Sequence, residues 1–247
     1  MTTLRVMTYN ILLGGHRGAP LHDLVRTVAP DVLLVNESPK RPLLWRRDSE
    51  RLARLWGMRY VTGGRTAGSN LILVRGPVEV RWSSARRLRQ PRFEPRRGIA
   101  VAQLRVRGTL LGVVGFHLSL VPERRLREMT EVLAATDGLR GPVVLAGDLN
   151  ETERGAAWRA ARDHGFADPG SDAWPTFPSD QPQRRIDALL VRGALTVLAH
   201  GDPGVPPALQ AAASDHRAIL AELSLSPDAR SRDATPSADA VQAEARC

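Results

Sequence analysis

Three runs, DVLLVNE (31–37), LLGVVGFH (110–117) and VVLAGDLN (143–150), are nearly unbroken in apolar residues, and each ends on side chains that ionise or hydrogen-bond. A strand with one wet face alternates apolar and polar residues, so strands without alternation must be covered on both faces. The chain is therefore expected to bury strands between layers, and its 247 residues suffice for one compact domain of that kind. The polar ends recur at comparable positions: Asn10 after VMTY, Glu37 after VLLVN, His117 after VVGF, and Asp148 with Asn150 after VVLAG. In open α/β sheets, strand ends are where ligands collect.

The remaining pattern alternates helices and strands. Val6–Thr8 marks a first strand, and Leu21–Ala29 has helical spacing until Pro30 stops it. A helical region over Leu43–Trp56 leads to short strands near Met58–Val61, Asn70–Val74 and Val78–Trp82. Gly98–Val106 and Thr109–His117 read as a hairpin turned at Arg107-Gly108, and Pro122 opens an amphipathic helix to about Asp137. Gly155–His164 reads as a helix, and Asp168–Arg185, rich in Pro, Ser and Asp, as a long ordered loop or lid. IDALLV, ALTVLAH and His216–Leu225 supply the last strands. From Ser226 the composition turns to Pro, Ser, Asp, Ala and Arg, so residues 1–225 are expected to form the domain and 226–247 a disordered tail.

Hydrophobic residues at 43% support a sizeable core, and aromatics at only 4% mean that Leu, Val and Ala build it. The formal charge is +9, carried almost wholly by Arg because Lys40 is the single lysine. That balance suits a polyanionic partner such as nucleic acid, a phosphorylated small molecule or an acidic membrane face. An Arg-decorated, solvated surface produces the same count. With Cys247 as the one cysteine, an intrachain disulfide, a cysteine-rich zinc site and a buried thiol nucleophile are excluded. No run reaches the ~18–20 apolar residues of a membrane span, and the N-terminus lacks a leader pattern, so cytoplasmic residence is the expectation.

Two further positions join the polar strand ends: Asp187, opening the strand in RRIDALLV, and Asp215-His216, just before the last strand. The set holds carboxylates, carboxamides and imidazoles, with no Cys and no nucleophile-elbow serine pattern. Such donors suit oxygen-ligated Mg²⁺, which takes one or two carboxylates together with waters and substrate phosphate, and phosphate-ester hydrolysis is its natural chemistry. Taken singly, each has a plainer reading: Asn10 as a turn amide, Glu37 as a helix cap, His117 as a core histidine, Asp187 as the partner of Arg184 or Arg185.

As an ordered set, the sequence resembles the endonuclease/exonuclease/phosphatase superfamily, the deoxyribonuclease-I-like fold. The matching pieces are MTYNI (7–11), NE (36–37), FHL (116–118), GDLN (147–150), RID (185–187) and SDH (214–216), in the family's order, between about Arg5 and Leu223. The resemblance implies an α/β fold, a four-layer α/β sandwich in which two mixed β-sheets pack face to face with helices outside and the site lies at one end of the sheets. It implies Glu37 as the principal Mg²⁺ ligand, with Mn²⁺ as substitute ion, and Asn10 and Asp215 helping to hold the metal or its waters. Asp148 would orient and deprotonate the attacking water, and Asn150 would position water and phosphate. His216, its ring held by Asp187, would stabilise charge on the phosphoryl oxygens, and His117 would contact another phosphate oxygen.

Asn70 and Arg97 match positions where the family places substrate contacts, although a plain turn and a solvated Arg fit them equally. Two departures stand out. Asn36 occupies a position that is commonly Gln, and Ala188 one that is commonly aromatic, leaving space for Trp174 or Phe177. The Arg-rich stretch 86–97 reads either as a phosphate-binding loop, with Phe93 available to stack a base, or as a charged surface loop. His200, His16, His22 and His164 have no partner motif, and His16 is the one expected nearest the site. The implied activity is Mg²⁺-dependent phosphodiester hydrolysis, with nucleic acid favoured as substrate by the charge. The alternatives are a small-molecule or lipid phosphoester, and a non-catalytic binding protein on the same fold.

Overall fold

The computed structural model describes residues 3–15, 18–91, 94–170 and 174–225. In chain order its elements are β1 (Thr3–Asn10), α1 (Leu12–Gly15), α2 (Gly18–Val28), β2 (Val32–Asn36), α3 (Trp45–Leu55), β3 (Arg59–Gly64), β4 (Asn70–Val74), β5 (Glu79–Arg87), β6 (Gly98–Val106), β7 (Thr109–His117), α4 (Pro122–Ala134), β8 (Val143–Asp148), α5 (Ala156–Asp163), β9 (Asp187–Arg192), β10 (Leu195–Gly201), α6 (Pro207–Ala213) and β11 (Ile219–Leu225). One sheet has the order β10-β11-β1-β2-β4-β3 and the other β5-β6-β7-β8-β9. Both are mixed: β1 runs parallel to β2 but antiparallel to β11, and β7 runs parallel to β8 but antiparallel to β6.

Successive side chains of a strand point to opposite faces, and here both faces are buried. Val6, Val32, Leu34 and Ile72 of one sheet meet Ala102, Val113, Val144 and Leu189 of the other in a core between the sheets. Their neighbours turn outward: Met7, Leu33 and Val35 pack with Leu24 and Val25 of α2 and Leu52 of α3. On the far side Val114, Phe116, Leu145 and Leu190 pack with Met129 and Val132 of α4 and Trp158 of α5. The result is helix, sheet, sheet, helix, the four-layer sandwich implied by the motifs. Each buried Val or Leu contributes roughly 1.5–3 kcal/mol, which is why these strands show no alternation.

The inward-facing series explains where the polar residues go. Reading every second residue gives Val6-Thr8-Asn10, Val32-Leu34-Asn36, Val113-Gly115-His117 and Val144-Ala146-Asp148, which apart from Thr8 are apolar in the middle of the sandwich and polar at its rim. β4 and β9 begin at that same rim, with Asn70 and Asp187. Gly147 is demanded by backbone contact: with φ at 155°, an added Cβ would lie 1.9 Å from the Phe116 carbonyl oxygen.

Several expectations need adjustment. Arg86 and Arg87 belong to edge strand β5, so the Arg-rich loop begins only after them. The last strand begins at Ile219, leaving His216 in irregular backbone, and α1 and α6 were not anticipated. In the Pro-rich stretch before β9, the described residues 168–170 and 174–185 are irregular apart from a bridge between Phe177 and Arg184. Residues 226–247, His16 and Phe93 lie outside the described residues. Among the described residues no helix is long and apolar enough to cross a membrane.

Candidate active site

At the rim, a cleft of about 430 Å³ is lined by Glu37, Arg97, His117, Asp148, Asn150, Asp215 and His216, together with Leu120, Arg125, Phe177, Arg184 and Ile186. Asp148 forms its floor. Its Oδ1 accepts the Asn150 backbone N–H at 2.8 Å, and its Oδ2 accepts Asn10 Nδ2 at 3.1 Å. His117 Nε2 stands 3.2 Å and His216 Nε2 3.9 Å from the same Oδ2. Asn10 is thus joined to a residue 138 positions away, from the opposing sheet.

The proton positions follow from the partners. Arg97 Nη1 lies 2.8 Å from His117 Nδ1, and a guanidinium can only donate, so Nδ1 accepts and the ring hydrogen sits on Nε2, facing Asp148. Asn150 Nδ2, 3.0 Å from that Nε2, directs its own hydrogen to the Leu118 carbonyl at 2.9 Å. His216 Nδ1 donates to Asp187 Oδ2 at 2.8 Å. Burial works against charge on His216, yet the Asp187 carboxylate, helped by Asp148 and Asp215, pushes the imidazole up to about 10. Burial also opposes ionisation of Asp148. It is outweighed by His117 first, then by His216 and the Asn150 amide, which hold the carboxyl well below the usual carboxylate range. The rim therefore carries an imidazolium and a permanently ionised carboxylate side by side.

Glu37 follows β2 with φ at 57°, a left-handed conformation uncommon for Glu, and among the described residues no hydrogen bond or ion pair holds its carboxylate. Among the described residues the half-buried Asp215 carboxylate accepts one hydrogen bond, from Ser214 Oγ to Oδ1 at 3.3 Å. These two carboxylates face the cleft, whereas Asn10 is buried beside it and its Oδ1 accepts the Leu12 N–H at 3.2 Å. An all-oxygen set of this kind fits a hard divalent cation. Asp148, Asp187 and His216 are also close enough to share an ion. The proton on His216 Nδ1 and the carboxylate contacts around it mark that trio instead as a hydrogen-bonded relay.

Other expected residues sort cleanly. Arg97 is buried in the cleft wall, its guanidinium pushed down by burial and drawn back by Asp148, Glu37 and Glu128. Asn70 is not in the cleft: its Oδ1 accepts Asn36 Nδ2 at 2.8 Å, and its Nδ2 donates to the Ala67 and Gly98 carbonyls at 2.9 and 2.7 Å. Asn36 also reaches the Phe116 carbonyl at 2.7 Å, so the Asn36–Asn70 pair ties the sheets together below the site. Asp187 pairs with His216, while Arg185 pairs with Asp168. Ala188, next to inward-facing Asp187, turns outward into the core under α4 and α5 and leaves no space in the cleft. Phe177 packs against His216 with ring centroids 5.0 Å apart, and Trp174 donates to the Ala218 carbonyl at 3.1 Å. His22 accepts from Trp56, His164 pairs with Asp137 and His200 reaches the Leu189 carbonyl, all packing or surface roles.

Glu128 was not anticipated. Fully buried in α4, it accepts the Ser119 N–H at 2.7 Å and Gln90 Nε2 at 3.2 Å, and Gln90 in turn accepts the Arg97 N–H at 2.6 Å. The signal was present in the sequence: in PERRLREMTEVLA, Glu128 adjoins Met129 on the stripe that continues to Val132 and Leu133, and a lone carboxylate there must find buried donors.

The sequence pattern of the endonuclease/exonuclease/phosphatase family matches residues 7–216. The chain belongs to that family. A comparison with curated proteins finds no match. Among solved structures, the chain is similar to an endonuclease/exonuclease/phosphatase from Beutenbergia cavernae, with TM-score 0.73 and 24% identity over 91% of this chain and 72% of that one. It is also similar to a mannosyl-6-phosphatase of Bacteroides thetaiotaomicron, with TM-score 0.73 and 16% identity over 90% of this chain and 100% of that one. A third is D. rerio TDP2 complexed with single strand DNA product, with TM-score 0.63 and 17% identity over 91% and 100% of the two chains. At these identities the likeness is one of fold, within a family of phosphoester hydrolases.

Proposed function

We propose that this family member is a Mg²⁺-dependent phosphodiesterase acting on nucleic acid. The observation that carries the reading is the joining, at one rim, of the Asp187–His216 and Asp148–Asn10–His117 networks to a cleft walled by the open carboxylates of Glu37 and Asp215. Glu37 and Asp215, with Asn10 behind them, would hold the cation, which supplies charge neutralisation at the phosphoryl oxygens.

In-line attack on phosphorus places negative charge on the nonbridging oxygens, and donors fixed in advance stabilise it without reorganising. The imidazolium of His216 is one such donor and the Arg97 guanidinium another. His117, with Nδ1 taken by Arg97 and Nε2 by Asp148, serves to position these two, a revision of its expected phosphate contact. Asp148 stays ionised throughout the working pH range and orients the attacking water as hydrogen-bond acceptor, while Asn150 steadies it. Arg97, Arg125 and Arg184 give the cleft walls the charge an anionic substrate requires.

A second reading, a phosphatase of small phosphorylated molecules, is favoured by the cleft's volume of about 430 Å³, within the range of small-molecule pockets. A panel of single- and double-stranded DNA, RNA, a nucleoside monophosphate and hexose phosphates decides between the two, run with Mg²⁺ and with chelator. Chelator-sensitive cleavage of polymer, lost in Asp148→Ala and His216→Ala, is the expected result. Turnover confined to monoesters selects the second reading, and a wild type as inert as both variants on every substrate overturns both.

A further inference from the structure

Beside the cleft lies a separate recess of about 350 Å³ lined by Arg89, Gln90, Pro91, Arg124 and Arg127, from the segment after β5 and the first turns of α4. Two of its three guanidiniums are held by neighbours. Arg127 Nη2 donates to the Arg89 carbonyl at 2.9 Å, and Arg124 pairs with Glu94. Among the described residues Arg89 and Arg127 have no ion pair. Three arginines line one recess, and among the described residues Glu94 is the one carboxylate paired with them, so the local charge is net positive and gains energy when an anion enters.

The recess is built into the frame of the catalytic cleft. Gln90 in its wall accepts the Arg97 N–H at 2.6 Å and donates to Glu128 at 3.2 Å. Arg124 faces the recess, while its chain neighbour Arg125 faces the cleft. Recess and cleft meet at two joints, the adjacent Arg124 and Arg125 of α4 and the Gln90–Arg97 hydrogen bond, which sets them side by side. A concave site so near the cleft suits an extended polyanion occupying both better than a flat lipid surface.

We propose that the Arg89–Arg124–Arg127 recess binds a backbone phosphate of a nucleic-acid strand whose scissile phosphodiester lies in the catalytic cleft. This rests on the phosphodiesterase reading of the cleft and adds to it a second anchoring point, which makes the enzyme a reader of strands rather than of single nucleotides.

The test is fluorescence anisotropy of a fluorescein-labelled single-stranded DNA dodecamer bound to the full chain in chelator, across a salt series. Arg89→Ala/Arg127→Ala is expected to bind about tenfold more weakly than wild type, with the slope of log affinity against log salt reduced by about one to two. Arg89→Lys/Arg127→Lys, which keeps the charges, is expected to stay near wild type, so a general folding defect is told apart from loss of charge. Equal affinity in wild type and the alanine variant, or equal loss in the alanine and lysine variants, overturns the proposal. Inorganic phosphate replacing chloride at constant ionic strength should compete with the dodecamer only at concentrations far above those at which the dodecamer binds, because the strand occupies cleft and recess together. Phosphate that binds as tightly as the dodecamer would mark a free-phosphate site and also overturns it. Hydrolysis of bis(p-nitrophenyl) phosphate by wild type with Mg²⁺ tests the cleft alone: an inert wild type with Arg-dependent binding sinks the phosphodiesterase reading, whereas an active one with Arg-independent binding sinks only the recess.

Discussion

Asp187→Asn removes the carboxylate that keeps His216 charged and leaves the shape of the site nearly unchanged. The folded protein holds the His216 imidazole at about 10 against an ordinary 6.5. A value raised on folding contributes stability that is fully present below 6.5 and is lost as pH rises through 10. The difference of about 3.5 units corresponds to a ceiling of about 5 kcal/mol, roughly 4 kcal/mol of it present at pH 7, and burial, which pushes the Asp187 carboxyl up, offsets part of that gain. His216 is only 6% exposed, so solvent screening takes little of this away. The background is quiet, because besides one lysine and two tyrosines only the single cysteine and the α-amino group titrate in the same alkaline range. Denaturant unfolding in chelator, from neutral pH to above 10, should show wild type losing several kcal/mol while Asp187→Asn stays nearly flat from a lower starting point. The alkaline limb of kcat/KM should move toward neutrality in the variant. Parallel stability curves for the two proteins would refute the assignment of the proton to a His216–Asp187 pair.

Gly147→Ala places a Cβ 1.9 Å from the Phe116 carbonyl oxygen in the neighbouring strand, so it should cost roughly 3 kcal/mol or more and reduce soluble yield, read by thermal melting. Asn70→Ala leaves Asn36 Nδ2 and the Gly98 carbonyl short of partners; a stability loss of about 1–3 kcal/mol with an unchanged KM is expected, whereas a raised KM without destabilisation would restore Asn70 as a substrate contact. Glu128→Ala frees the Ser119 N–H and Gln90 amide and should both destabilise by about 2 kcal/mol and lower kcat through the loosened Arg97 segment, with Glu128→Gln recovering most of the stability. Glu37→Gln should weaken Mg²⁺ binding at least tenfold by calorimetric titration with little change in melting temperature, since among the described residues none depends on that carboxylate for a hydrogen bond or ion pair.

The strands and their polar ends were legible because they are local. An apolar run such as VVLAG can only be a strand covered on both faces, and the period of two puts Asp148, His117 and Asn10 at the rim on the inner face. The Arg-rich loop was misjudged at its start because Arg86 and Arg87 sit on a solvent-exposed edge strand, where no buried face imposes a pattern. Helix α6 escaped notice because PALQAAA offers few of the apolar positions from which a helix is read. Tertiary structure alone decided who meets whom. Asn10 and Asp148 touch across two sheets, Arg97 caps His117 from the irregular segment just before β6, and Asn70 turns its amide into the joint between the sheets rather than toward the cleft. Periodicity tells which face of its own strand a residue occupies, but a hydrogen bond between strands from opposing sheets depends on strand order, sheet twist and helix docking, which are settled only when the whole chain packs.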